Sequence, residues 1–154
     1  MNEYMEVAIA EARRGVELGE GGPFGAVIVR NGVVVGRGHN RVVVSHDPTA
    51  HAEINAIREA SSFLGRYDLS DCEIYTTCEP CPMCYGAIYW AKIGTIQQGA
   101  RKEDAAEIGF DDLEMYADME RPLEERNIII RELDREACLA VFRDWRSRDD
   151  RVLY

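Results

Sequence analysis

Two short segments hold the residue types that can do chemistry: His51-Ala52-Glu53 and Cys78-Glu79-Pro80-Cys81-Pro82-Met83-Cys84. The second reads as the opening of a helix. Pro82 fits a first turn because its missing N–H would have no intrahelical acceptor there. Cys81 and Cys84 are three apart and so share a helix face. A helix N-terminus favours thiolates, the form that binds metal. With His51 they make a Cys2His set for Zn²⁺. Three protein ligands leave a fourth position for water, the arrangement of a catalytic rather than a structural zinc. Glu53 is two residues from His51, and such residues point to nearly opposite sides of a helix. Both reach one metal only if the site lies off the helix end, which two facing helix N-termini would satisfy. Glu53 would then sit beside the water and carry protons. Two other readings have less support. Cys78 could complete a four-ligand structural zinc, but that site gives Glu53 no job. Buried thiols without metal would not need the His-x-Glu.

The elements that position these residues follow from hydrophobic spacing. Residues 3–18 read as a helix with Met5, Ala8, Ile9, Ala12 and Val16 on its apolar face. Phe24 to Arg30 and Val33 to Val35 flank Asn31-Gly32, a hairpin signal, because both turn residues need positive φ. Residues 40–48 read as loop. A helix from Thr49 carries Ala56, Ile57, Ala60, Phe63 and Leu64 on one face. Cys72 to Thr76 and Thr95 to Gly99 read as strands. Cys81 to Lys92 reads as a helix apolar on nearly every side, expected deep in the molecule. Ile128 to Ile130 is the candidate last strand. Ala137, Cys138, Val141, Phe142 and Trp145 stripe a final helix. Strands alternating with helices imply a single domain over 1–154, an α/β sandwich with helices on both faces of the sheet.

Composition bounds the partners. Eighteen Lys and Arg against 28 Asp and Glu give a net charge of −10, which argues against a nucleic acid held by the protein's field. Residues 103–125 carry ten acids against Arg121 alone. With 30% charged residues and no long apolar run, the chain is not expected in a membrane. Its five cysteines are odd in number and three are clustered, unlike a secreted disulfide framework. The first residues show no secretory signal, so the expected compartment is the cytoplasm. His39 and His46 read as bystanders, and Cys72 and Cys138 as packed thiols.

His-x-Glu followed by Pro-Cys-x-x-Cys is the signature of zinc nucleobase deaminases. Over nearly its whole length the chain resembles the cytidine-deaminase-like zinc deaminases, and within them the bacterial guanine deaminases. The resemblance is carried by Gly21-Gly22-Pro23-Phe24-Gly25-Ala26, Asp47-Pro48-Thr49-Ala50-His51-Ala52-Glu53, the cysteine segment, Gly86 to Ala91, Asp104 to Glu107, Gly109-Phe110-Asp111-Asp112 and Tyr154. Gln97-Gln98 departs from the apolar or aromatic pair usual there. The resemblance implies a three-layer α/β/α sandwich on a five-stranded mixed sheet. It implies one zinc per subunit on His51, Cys81 and Cys84, with Glu53 as proton shuttle. It also implies Asn40, Asp112 and Ala52 as purine contacts, Phe24 against the ring and Tyr154 closing the pocket. The implied reaction is deamination of guanine to xanthine and ammonia. The implied assembly is a homodimer exchanging C-terminal segments from about residue 135, so that Tyr154 would come from the partner. Guanosine, cytosine, an ammeline-type triazine or tRNA adenosine are the alternative substrates. A zinc-binding protein without turnover is the alternative from another class.

Overall fold

The computed structural model describes all 154 residues, which pack as two units, 1–113 and 114–154. In the first unit, α1 (Glu3–Glu17) precedes the hairpin β1 (Gly25–Arg30) and β2 (Val33–His39). A short α2 (Val42–Ser45), α3 (Ala52–Leu64), β3 (Glu73–Cys78), α4 (Pro82–Trp90), β4 (Ile96–Ala100) and α5 (Lys102–Glu107) follow. The sheet runs β2-β1-β3-β4. Its first two pairings are antiparallel and β3–β4 is parallel. It is therefore mixed, but it has four strands rather than five.

The missing strand is the one expected at Ile128 to Ile130, which is irregular and exposed. A strand needs an edge to bond to, and the second unit contains no other strand. That unit holds α6 (Leu113–Glu120), a 3-10 turn (Leu123–Glu125) and α7 (Arg135–Arg146). Arg121 ties the early part of the unit together through Glu114 and Asp118.

In the first unit β1 is buried on both faces, which explains its unbroken apolar run. Val27 and Val29 face α1 with Ala8 and Tyr75. Ala26 and Ile28 face α3 and α4 with Ala52, Ala56, Ile74 and Ile88. Full burial of a side chain such as Ile28 is worth about 1.5–3 kcal/mol. The turn residues Asn31 and Gly32 both have positive φ, 49° and 77°. Asn2 caps α1, its Oδ1 accepting from the N–H groups of Tyr4 and Met5. The buried face of α1 is Ala8, Glu11, Ala12 and Gly15. Val16, expected in the core, is exposed, while Glu11 is taken inside by an ion pair with His39.

The helix α3 lies against β2 on small residues. A Cβ at Gly38 would stand 2.3 Å from the Ala52 carbonyl oxygen, so only glycine lets the two backbones approach this closely. Ala56 and Ala60 continue the contact, whereas Phe63 is exposed. The expectation for α4 fails more clearly. Cys84 and Ile88 are buried, but Tyr85, Tyr89 and Trp90 are 59%, 71% and 63% exposed. Only one face of α4 meets the sheet layer, and the aromatic side chains occupy the other. Cys138 is also exposed rather than packed. Gln97 and Gln98 are exposed on β4, which accounts for polar residues at those positions.

Candidate active site

Two helix N-termini meet behind the end of the sheet. His51 is the N-cap of α3 and Cys81 the N-cap of α4, both with extended backbone (φ −69°, ψ 160° and φ −63°, ψ 166°). Neither side chain caps its own helix, so both are available to something else. Pro82 opens α4, and one turn later Cys84 rises on the same face. Cys81 Sγ and Cys84 Sγ lie 3.6 and 3.5 Å from His51 Nδ1. The three donor atoms are all within 4.8 Å of one another. Two sulfurs and an imidazole nitrogen at this spacing fit a tetrahedral Zn²⁺. Nδ1 is the nitrogen they leave for it.

The electrostatics agree with that donor set. The Cys81 thiol is drawn down to about 4, first by a hydrogen bond with Cys84 and then by one with His51. Cys84 is pushed upward by the same sulfur contact, by burial and by Glu53. The pair thus holds one thiolate readily, and a divalent metal is what would draw the second proton off. Cys78 is outside the set. Its thiol points to the Arg101 carbonyl at 3.5 Å, and burial pushes it up to about 11.

Glu53 follows His51 in the first turn of α3 and is buried at 6% exposure. Thr76 Oγ1 on β3 lies 3.3 Å from Oε1 but turns its one proton to the nearer Cys78 carbonyl at 3.0 Å, while Cys84 Sγ donates to Oε2 at 3.4 Å. Burial raises the carboxyl above its ordinary value near 4.5. Thr76 is not singled out by its sequence, because a buried threonine in a strand looks like packing.

Asp112 lies close enough for the Cys81 thiolate to raise its carboxyl, an effect second to burial. Its Oδ1 is a buried side-chain oxygen without a hydrogen-bond partner. Such an atom is costly unless something donates to it. Asp111, its neighbour, is exposed and accepts from the Leu113 N–H. Asn40 is buried, its N–H donating to the Phe24 carbonyl at 3.0 Å and its Oδ1 accepting from the Val42 N–H at 3.1 Å. Phe24 is half-buried and meets Phe110 edge-on, ring centres 5.0 Å apart. Phe110 carries no separate role in the sequence reading. The Ala52 side chain is wholly buried in the core, so only its backbone could contact a ligand. Its N–H is in the first turn of α3, where no intrahelical acceptor exists. Tyr154 belongs to the second unit and is exposed in the single chain. His39, read as a bystander, is buried between two glutamates.

Residues 1–100 match the cytidine and deoxycytidylate deaminase zinc-binding region, and the chain belongs to that family. It is 49% identical over 144 residues to a guanine deaminase of Bacillus subtilis, covering 94% of this chain and 92% of that protein. The X-ray structure of guanine deaminase from Bacillus subtilis superposes with a TM-score of 0.95 at 47% identity, over 100% of this chain and 99% of the other. A guanine deaminase from Nitrosomonas europaea superposes with a TM-score of 0.68 at 34% identity, over 92% and 81% of the two chains. A tRNA-specific adenosine deaminase of Buchnera aphidicola is 45% identical, but over 98 residues, 64% of this chain and 60% of its own. No helix is long and apolar enough to cross a membrane.

Proposed function

We propose that this chain catalyses the hydrolytic deamination of guanine to xanthine and ammonia. The observation that carries the reading is the buried, unpartnered Oδ1 of Asp112 beside the His51–Cys81–Cys84 set. Guanine offers N–H donors, and a carboxylate accepting from them makes a charge-assisted bond. The side-chain nitrogen of Asn40 is left to donate to a purine acceptor, because its oxygen is engaged by Val42. The N–H of Ala52 is a second donor, at the positive end of α3. Phe24 offers a face for the ring, with Phe110 holding it edge-on. The guanine deaminase match also extends over nearly the whole chain, whereas the tRNA deaminase match does not.

One zinc per subunit would be held by His51, Cys81 and Cys84. When bound, it supplies Lewis acidity that makes water a nucleophile near neutral pH. Glu53 moves the protons. With Cys84 as a thiolate, its S–H bond to Oε2 is gone and that oxygen is free to move a proton. Oε2 takes one proton of the attacking water and passes it to a ring nitrogen, then takes the proton of the hydroxyl now on the carbon and delivers it to the departing amine. Water adds at the carbon bearing the amino group and ammonia leaves, which balances guanine and water against xanthine and ammonia.

The assembly belongs to the same proposal: a cytoplasmic homodimer that exchanges its C-terminal segments from about residue 135, with Tyr154 closing the partner's pocket. It is supported by the stripe Val141, Phe142 and Trp145, which is exposed in the single chain and so calls for a covering surface. Incubating the zinc-loaded protein with nucleobases and nucleosides and measuring ammonia tests the reading. Guanine should be the preferred substrate. Asp112→Asn should lose guanine turnover by about 10²-fold, because an amide can set a donor against a donor. Preference for cytosine, guanosine, a triazine or tRNA adenosine would replace guanine as the substrate. Ammonia from none of them would support the reading without turnover.

A further inference from the structure

The strongest feature outside the deaminase machinery is a charged cluster behind Asn40. His39 ends β2 and is 6% exposed. Its Nδ1 is 3.0 Å from Glu11 Oε2 on α1, and its Nε2 is 2.7 Å from Glu20 Oε2 in the loop after α1. A neutral imidazole has one N–H, and its other nitrogen would set a lone pair against a carboxylate. With both glutamates ionised, both contacts are hydrogen bonds only if the ring is an imidazolium. Glu20 Oε2 also meets Arg41 at 2.9 Å, so two carboxylates face two cations and the cluster is neutral. Arg14 on α1 adds to the positive field at Glu20, whose carboxyl is held below its ordinary value, first by the bond to His39.

The cluster clamps the two segments that hold Asn40. The Glu20 carbonyl accepts from the N–H groups of Val43 and Val44. Next to it, Gly21 passes so close to Asn40 that a Cβ there would stand 2.2 Å from Oδ1 and 2.5 Å from the backbone oxygen. On the far side, Asn55 Nδ2 on α3 donates to the His39 carbonyl at 2.9 Å. The ring itself lies against Gly15 of α1. Asn40 thus sits between neighbours fixed by the cluster, and its amide has little room to turn.

We propose that His39 is a positioning residue: as an imidazolium bonded to Glu11 and Glu20, it holds the 20–24 and 40–44 segments together and so sets the Asn40 amide for the purine. Its consequence for binding rests on the reading of Asn40 as a substrate contact. Breaking either contact would free a carboxylate from its partner and loosen the clamp, so KM for guanine should rise while the zinc site is untouched.

The test compares zinc-loaded, full-length wild type with His39→Gln, His39→Gln/Glu11→Gln and Asn40→Ala. His39→Gln leaves the cluster one negative charge in excess. KM for guanine should rise about tenfold with kcat and zinc content nearly unchanged, the pattern of lost binding rather than lost chemistry. The double variant restores neutrality, and the amide it sets in place of the imidazole can donate to Glu20 and accept from the amide that replaces the Glu11 carboxylate. It should recover most of the KM. Nitrogen-15 spectra of wild type should show a proton on both ring nitrogens of His39. A singly protonated His39 overturns the clamp whatever the kinetics, and it decides the matter if His39→Gln does not fold. A raised KM in Asn40→Ala with an unchanged KM in His39→Gln overturns the proposal alone. An unchanged KM in Asn40→Ala overturns the reading of Asn40, and with it the binding role given to His39.

Discussion

Glu53 combines burial with a raised proton affinity, and each has a measurable consequence. Glu53→Gln should retain zinc and lose about 10²- to 10⁴-fold in turnover, because an amide neither accepts nor delivers the proton. Metal analysis beside steady-state rates checks this, and near-normal turnover would end its assignment as shuttle. The raised carboxyl also makes a stability prediction for protein stripped of zinc by a chelator. The unfolded chain releases this proton near pH 4.5, while the folded chain keeps it to a higher pH. Folded protein therefore binds more protons across that window, and its stability falls as pH rises through it. Glu53→Gln removes that penalty, so its melting temperature should gain on wild type as pH rises from about 4.5 towards neutrality. The cysteines divide in the same direct way. Cys81→Ala should lose zinc, whereas Cys78→Ala should keep its stoichiometry, since Cys78 Sγ turns to the Arg101 carbonyl. Zinc loss from the Cys78 variant would bring back a four-ligand structural site.

At the scale of elements, the site depends on how close α3 and α4 come to the sheet. His51 and Cys81 are N-caps, so any shift of either helix moves a metal ligand directly. Gly38 sets the height of α3 above β2. Gly38→Ala would place a methyl group 2.3 Å from the Ala52 carbonyl oxygen, a backbone atom that cannot turn away. The helix must lift, at a cost of about 1–3 kcal/mol as for other overpacking. Zinc affinity should weaken with it, because Ala52 lies between His51 and Glu53. Chemical denaturation and competition with a metal indicator measure the two effects. Unchanged stability and zinc affinity would mean that α3 is not held where the small residues place it.

For the whole molecule, the open question is what covers the second unit's apolar stripe. Deleting Val152 to Tyr154 should cripple guanine turnover while leaving zinc binding intact, since these exposed residues add nothing to the core. Mixing that protein with Asp112→Asn and allowing subunits to exchange should restore part of the activity if the tail serves the partner. One site of the mixed dimer then has both Asp112 and Tyr154. Absence of recovery would mean that each tail serves its own site, and full activity of the truncated protein alone would remove Tyr154 from the pocket.

The metal donors, their shuttle and the two helix starts were legible in the chain because they are local. Proline, cysteine and histidine at fixed spacing dictate which groups share a helix face or a helix end. The hairpin was legible for the same reason, since Asn31-Gly32 needs no distant partner to turn. Burial was not. Ile128 to Ile130 has the composition of a strand but its own unit offers no strand to pair with, and α4 has an apolar outer face that periodicity could only assign to the core. The pairing of Glu11 with His39, which reads as a bystander, was not legible because a lone acid on a helix and a lone histidine in a strand carry no signal separately. Tertiary structure brings them within 3.0 Å, and only there does each make the other's burial affordable. Asp112 is the sharpest case: one acid among ten in residues 103–125, it is set apart by a buried oxygen with nothing to accept from. Spacing along the chain fixed which groups could meet, and only the packed fold decided which polar atoms lost their water.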